Sequence, residues 1–379
     1  MHRRDTQEDR EKSELEQKQF EPPRCPYPEC PSNGGGEFGW VRNGWHETAR
    51  APYRVQRFRC QCCRRTFSTQ TFSYDYWQKR PELDRLVYMA ARACSGNRQI
   101  ATMLACGKST VAEKITRLGR HSIRYFAREM SRAEKLKGDL LFDGLGTFEH
   151  SQYFPLWLNL AVHRPSSLVL GFTDSPLRRS GTMKPGQKRK RARLEAQFPK
   201  PDPQSIRKGT AELLAAIKPF VDLEHVRFVS DEHKAYPPAL GDAGLGDVPH
   251  LQIPGSRQRT PANPLFEINL ADMTLRHGSS NQKRETIAFN KRRQAGVERA
   301  WLWATWKNFM SPRRVKCGGP TPAMVAGIAQ APLKWSDIFG KRIFSADVVL
   351  PEVWQRQVRR ELITPRIGTN RKHEAVFAF

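Results

Sequence analysis

Two groups of cysteines carry the first chemistry in the chain: Cys25-Pro-Tyr-Pro-Glu-Cys30, and further on Cys60-Gln-Cys62-Cys63. Four thiolates in two close pairs can close a tetrahedral shell around zinc, and the ion then holds a segment too small to bury a core of its own. No strand or helix of useful length reads between the pairs, so metal is the simplest reason for the cysteines. The expected ligands are Cys25, Cys30, Cys60 and Cys63, with Cys62 a bystander. His46 is a stand-in ligand, although a lone histidine in a basic loop more often faces solvent. Arg42, Arg50, Arg54, Arg57, Arg59, Arg64 and Arg65 make the module cationic, and a small cationic zinc module usually touches nucleic acid. Cys94, Cys106 and Cys317 stand alone and read as plain buried thiols.

A second set of residues suits phosphoryl chemistry. Asp143 ends the apolar run Leu140-Leu-Phe-Asp143, and Asp231 ends Arg227-Phe-Val-Ser-Asp231. Carboxylates at the ends of adjacent strands can share a pair of magnesium or manganese ions. Such ions activate a water or a 3′-hydroxyl and stabilise the leaving oxygen during in-line attack on a phosphodiester. One aspartate after a strand is often only a turn residue; two in this strand order point to catalysis. For a third carboxylate the choices are Glu267, Asp272 and Glu298. Asn269, Asp272 and Arg276 fall at i, i+3 and i+7 and line one helical face, so Asp272 is the expected third member. Glu267 points off that stripe, and Glu298 suits an ion pair.

These groups need elements to hold them. The 379 residues suffice for two or three domains. The 64 Lys+Arg against 38 Asp+Glu leave a formal charge of +26, an excess that captures polyanions and points to nucleic acid. No apolar run reaches about 18 residues, so no membrane span is expected. Met1–Phe20 is highly charged, lacks a signal-like apolar segment and reads as a disordered tail. Eight cysteines used in this way fit a reducing cytoplasm. The expected division is a tail at 1–20, a zinc-binding module at 21–70, a helix-turn-helix at 81–132, a catalytic domain at 136–310 and an extension at 311–379.

Within 81–132, Leu83, Leu86, Val87, Met89 and Ala90 suggest a first helix, and a second runs through 97–104. After a tight Ala-Cys-Gly turn, Ser109 reads as the N-cap of a third helix whose Val111, Ile115 and Leu118 face inward. That leaves Lys108, Thr110, Lys114 and Arg117 to meet DNA, although a plain three-helix packing unit explains the same pattern. Apolar strands follow at 139–143, 156–162 and 167–172. A basic loop from Leu177 to Arg193, containing Lys188-Arg189-Lys190-Arg191, suits flanking or target DNA. A helix at 204–220, a strand at 225–230 and helices at 265–277 and 292–310 complete an α/β order of the ribonuclease H-like kind. Trp301, Trp303 and Trp306 read as core rather than as a base-stacking platform.

On these residues the chain resembles the bacterial DDE-type insertion-sequence transposases, of the IS-one family and its relatives. The resemblance rests on Val41-Arg-Asn-Gly44, on Cys60-x-x-Cys63-Arg-Arg-Thr-Phe67, on the helix-turn-helix and on Asp143. It continues from Asp231 through Leu275-Arg276 and Arg284-Glu-Thr-Ile-Ala-Phe289, covering roughly residues 25–310. It implies a DNA transposase that binds terminal inverted repeats, cleaves a strand with water and joins it through the freed 3′-hydroxyl. It also implies structural zinc, catalytic magnesium or manganese, a homodimer or higher oligomer on double-stranded DNA, and a nucleoid location in the cytoplasm. There are departures. Asn269 stands where the family carries its third acid, the first cysteine pair is spaced by four residues, and the 177–193 insertion lengthens the gap between the aspartates. Two other readings stay open: a catalytically inactive, domesticated DNA-binding protein or regulator, and a structure-selective nuclease that does not join ends.

Overall fold

The computed structural model describes residues 7–34, 38–48, 52–283, 286–314, 316 and 318–372. Arg50, Arg284, Glu285 and Cys317, named above, lie outside them. The chain divides into two compact units, one running up to Pro81 and taking in Trp335–Val349, the other holding Glu82–Lys334 and, among the described residues, those from Leu350 to Lys372.

In the first unit, helix α1 (Gln7–Gln19) precedes a three-stranded antiparallel sheet of β1 (Trp40–Glu47), β2 (Arg54–Cys60) and β3 (Thr66–Ser68). Strand β2 shows why the sheet forms: Phe58 and Cys60, two apart, turn to the aromatic cluster, while Arg59 between them points to the other face and stays in water. Phe58, Phe67, Phe72 and Phe344 pack with Cys25, Cys30 and Cys60 into one cluster, with Phe58 and Phe67 stacked 5.7 Å apart and Phe72 5.6 Å from Phe344. This corrects two expectations. Two strands lie between the cysteine pairs, and the module has an aromatic core besides any metal. Part of that core comes from Trp335–Val349, so the extension expected at 311–379 is divided between the two units. The expected tail is also corrected from Gln7 onward. Buried Gln17 donates to the Arg54 carbonyl (2.8 Å) and accepts from the Gln56 amide (3.0 Å), which ties α1 to β2. A charged helix anchored by one glutamine shows no apolar periodicity, which is why it reads as disorder.

The second unit begins with α2 (Leu83–Arg92), α3 (Asn97–Met103) and α4 (Lys108–Arg132). Next come β4 (Leu136–Phe148), β5 (Pro155–His163) and β6 (Leu168–Pro176), then α5 (Pro185–Gln197) and α6 (Ser205–Ile217). Strand β7 (Val221–Asp231), α7 (Tyr236–Asp242), β8 (His250–Ile253), α8 (Phe266–Gly278) and α9 (Arg293–Phe309) follow. The sheet has the order β6-β5-β4-β7-β8; β4, β5 and β6 are antiparallel, while β7 runs parallel to both β4 and β8. The mixed α/β class agrees with the sequence reading; α7 and β8 were not anticipated. The expected boundary near 132–136 is not one between compact bodies, because α4 packs against α9 and shares its unit with the sheet.

Helix α9 lies on β6 and α4. Trp301 and Trp303 are fully buried, and Trp301 meets Trp354, from the helix Glu352–Arg359, edge to face at 5.3 Å. Trp301 and Trp303 are core, as expected, whereas Trp306 is only half-buried. Gly171 on β6 has φ +147° and lies against the Trp354 and Trp301 rings, so a side chain there has neither room nor a relaxed backbone.

Helices α2–α4 depart from expectation at three points. Gly107, not Ser109, is the N-cap of α4. Of the residues that suggested the first helix, Leu83, Val87 and Ala90 are buried, but Leu86 and Met89 are about half exposed, and Tyr88 and Ala91 are buried in their place. Lys114, expected on a DNA-facing surface, is buried and pairs with buried Asp84 at 2.7 Å. Leaving one member of such a pair without its countercharge typically costs about 3–5 kcal/mol. Lys114→Met should therefore lower the urea midpoint sharply, and Lys114→Met combined with Asp84→Leu should recover most of it. A Lys114→Met protein of parental stability would disprove the structural role.

Candidate active site and metal centre

The metal centre is built from two turns. In the first, the Cys30 amide donates to the Tyr27 carbonyl (3.0 Å) and the Asn33 side chain donates to the Cys25 carbonyl (2.8 Å). In the second, the Cys60 amide donates to the Arg65 carbonyl (3.0 Å) and Arg64 takes φ +62° to turn the chain. The turns bring Cys25, Cys30, Cys60 and Cys63 together, with all four sulfurs within 4.8 Å of one another. Cys25 Sγ lies 3.7 Å from Cys63 Sγ, and Cys30 Sγ lies 3.8 Å from Cys60 Sγ. Zinc–sulfur bonds of about 2.3 Å in a tetrahedron give edges of about 3.8 Å, so the donor set fits zinc. Burial pushes the Cys25 and Cys63 thiols up. The Cys30 thiol is also buried, but the Ser32 backbone and the neighbouring thiols outweigh that and lower it to about 7. Cys62 is exposed and outside the cluster, and exposed His46 on β1 is no ligand. Cys94 and Cys106 are only half-buried, which corrects the expectation of buried thiols.

The carboxylates sit where β4 and β7 run parallel. Asp139 pairs with Arg227, Leu140 with Phe228 and Leu141 with Val229. Two residues beyond the last pair, on each strand, stand Asp143 and Asp231. Asp143 does not end its strand: β4 continues to Phe148, paired with β5. The Asp143 carboxylate accepts from the Gly144 amide (2.7 Å) and the Tyr236 hydroxyl (3.3 Å), and Asp231 accepts from the His233 amide (3.0 Å). Burial raises the Asp143 pKa to about 6, and the negative charge of Asp231 adds to that. The Gly144 amide, the Tyr236 hydroxyl and the Arg259 cation only partly oppose it. Tyr236 is itself pushed up, first by burial and then by both aspartates, so it remains a hydroxyl donor. The Trp157 indole covers Gly144 and takes the space of a Cβ there, which makes glycine necessary beside Asp143.

The third carboxylate is not drawn into this pair. Among the described residues, only Cys25/Cys30/Cys60/Cys63 and Asp222/Glu224/His225 form groups of three or more donors within 4.8 Å, and the second lies at the start of β7 with Asp222 half-buried and Glu224 and His225 exposed. Asp272 is half-buried on α8, on the stripe whose Arg276 donates to the Gly146 carbonyl of β4 at 3.1 Å, and Asn269 bonds back to Leu265 within its own helix. The alternatives are structural. Glu267 is held by Ser167 and Arg314 (2.5 Å each), and Glu298, fully buried, by Arg360 (3.0 Å) and Thr116 (2.9 Å).

Lys108 is exposed on α4, while Thr110 and Arg117 are half-buried. The segment expected as a basic loop contains helix α5, corrected here for a physical reason. Pro185 sits in its first turn, the Gln187 side chain accepts from the Lys184 amide (2.9 Å), and Leu194 is its one buried residue. Lysine and arginine are good helix formers, but a single inward leucine leaves no periodicity to read. Lys188, Arg189 and Lys190 are exposed on it; Arg191 is half-buried and donates to the Arg179 carbonyl (2.8 Å). Sequence reasoning missed Tyr236, which opens α7 just before two prolines, Trp157, within β5, and Arg259, in the loop after β8; none of them sits in a motif. No helix of the described residues is long and apolar enough to cross a membrane. No protein-family model matches the chain, and no curated protein matches it.

Proposed function

We propose that the protein is a DNA transposase: it binds the terminal inverted repeats of an insertion sequence and performs metal-dependent strand cleavage and transfer. The observation that carries this reading is the placement of Asp143 and Asp231 side by side on parallel strands, where burial, and then the charge of Asp231, raise the Asp143 pKa. Two carboxylates that repel one another inside a partly dry site are poised to take a divalent cation. The sheet order supports the reading too, because three antiparallel strands followed by two parallel ones is the ribonuclease H-like arrangement of the family that the sequence resembles. Helices α2–α4 then serve as the helix-turn-helix, with Lys108 and Thr110 at the exposed start of α4, and the zinc module supplies further basic surface.

Asp143 and Asp231 would hold the cations, with Asp272 as the third ligand. Bound there, magnesium or manganese lowers the pKa of the attacking water or 3′-hydroxyl and stabilises the leaving oxygen. Tyr236 and the Gly144 amide fix the Asp143 carboxylate, and exposed Arg259 offers a cation to the phosphate.

Incubation with magnesium or manganese and a labelled DNA end tests the reading. Strand-transfer products are expected; hydrolysis without joining indicates a nuclease, and tight binding with no product indicates a binding protein. That last reading draws on one observation, the separation of Asp272 from the aspartate pair. Asp272→Asn should lower turnover on the order of a thousandfold with DNA binding intact, whereas Glu267→Gln and Glu298→Gln should act through stability. Full activity in Asp272→Asn would remove it from the site.

A further inference from the structure

A cavity of about 440 Å³ opens beside the amino-terminal half of β4, lined by Asp139, Arg164, Phe266, Glu267, Arg313 and Arg314. Two prolines, Pro165 and Pro261, stiffen its wall. Arg164 and Arg227 both bind Asp139, at 2.8 and 2.9 Å. Arg313 and Arg314 both reach Glu267, and Arg313 also donates to Ser167 (2.8 Å). Lys307, buried behind them, donates to the Arg313 carbonyl (3.2 Å). Three arginines thus line the cavity against two carboxylates, with Lys307 buried behind them and half-exposed Arg227 on the far side of Asp139. Burial lowers the Lys307 pKa, and Arg314 and Arg313 add to that against Glu267. Lys307 is buried with this excess of positive charge beside it, so an added anion would be favoured there.

We propose that this cavity is a binding site for a phosphate group, carried by a nucleotide or by a nucleic-acid strand. Arginine forks match phosphate oxygens. Arg164 and Arg314 reach the rim, with about 40% of each side chain exposed, and Phe266 and the prolines give sugar or base an apolar wall. On the proposed transposase reading, the site also has a place on the substrate. Asp139 and Asp143 lie on the same face of β4, four residues or about 13 Å apart. That is about four base steps of a strand. The pocket would hold the backbone upstream or downstream of the phosphodiester being attacked.

The test uses the full chain with two probes: a fluorescein-labelled DNA duplex carrying single neutral methylphosphonates, and deoxyadenosine monophosphate. Arg164→Gln/Arg314→Gln should weaken duplex binding about tenfold and reduce the salt slope by about two. Arg207→Gln, a charge-matched change at the exposed Arg207–Asp242 pair, should not. One methylphosphonate position should weaken binding to the parent and not to the double variant. If the parent fails to bind the duplex but binds the mononucleotide through Arg164 and Arg314, the pocket stands and the DNA reading falls. If duplex binding survives the double variant with no coupled methylphosphonate and no mononucleotide binding, the pocket proposal is overturned. The single variants serve if the double variant melts early.

Discussion

Asp143→Asn should melt several degrees higher than the parent in metal-free buffer at pH 8, while losing DNA strand cleavage. The structural reason is the pKa of about 6 held by Asp143, against an ordinary 3.8. A carboxyl whose folded pKa is raised contributes stability only while it keeps its proton. That contribution is complete below about pH 4 and is lost as pH rises through about 6. At pH 8 the parent therefore carries an ionised, partly desolvated carboxylate beside Asp231, and the amide does not. A two-unit shift corresponds to about 3 kcal/mol; partial exposure of the site brings this to about 2 kcal/mol, a few degrees in a unit of this size. Below pH 4 the two proteins should melt together. Saturating manganese should reverse the order, because only the parent gains binding stabilisation, about 2.7 kcal/mol at a hundredfold excess over Kd. Equal melting at every pH, with or without manganese, would show that the aspartate pair is not a strained cation site.

Cys60→Ser should have the largest effect on the amino-terminal unit. Purified protein is expected to hold about one zinc per chain, and this variant should lose it while Cys62→Ser keeps it. Structural zinc sites contribute an apparent 10–16 kcal/mol in small peptides. This unit has the Phe58–Phe67–Phe72–Phe344 cluster besides, so metal loss should loosen it rather than abolish all structure. The visible outcome is protease cleavage before Pro81 and a separate early melting step, with the sheet of the second unit intact. Zinc uptake should release protons, since the Cys25 and Cys63 thiols are raised by burial, and apparent affinity should fall as the solution is acidified. Unchanged zinc content in Cys60→Ser would remove the assignment.

How much of this was legible depended on local pattern. The clustering of Cys25, Cys30, Cys60 and Cys63 was readable because donors that could share one metal ion leave their spacing in the sequence. Strands β4 to β6 and helices α6, α8 and α9 were readable because apolar periodicity marks elements; it marked the end of β7 at Asp231 but not that of β4, which runs past Asp143 to Phe148. What failed was whatever long-range pairing decides. Lys114 looks like any helix-surface lysine until Asp84, thirty residues earlier, is folded against it. Helices α1 and α5 are polar almost all round, so one buried side chain each among the described residues, Gln17 and Leu194, left no pattern to read. Glu267 and Asp272 differ only in which neighbours the fold supplies: Arg313 and Arg314 claim the first, while the second lies on the Arg276 stripe.

The most direct test of the central claim is a titration of zinc-loaded protein with manganese, counting bound ions by paramagnetic resonance in the parent, in Asp143→Asn and in Asp231→Asn. The Asp222/Glu224/His225 trio is controlled by Asp222→Asn. The account predicts manganese binding that is lost in each aspartate variant, retained in Asp222→Asn, and accompanied by unchanged zinc. Manganese stoichiometry and affinity identical in the parent and both aspartate variants would contradict it.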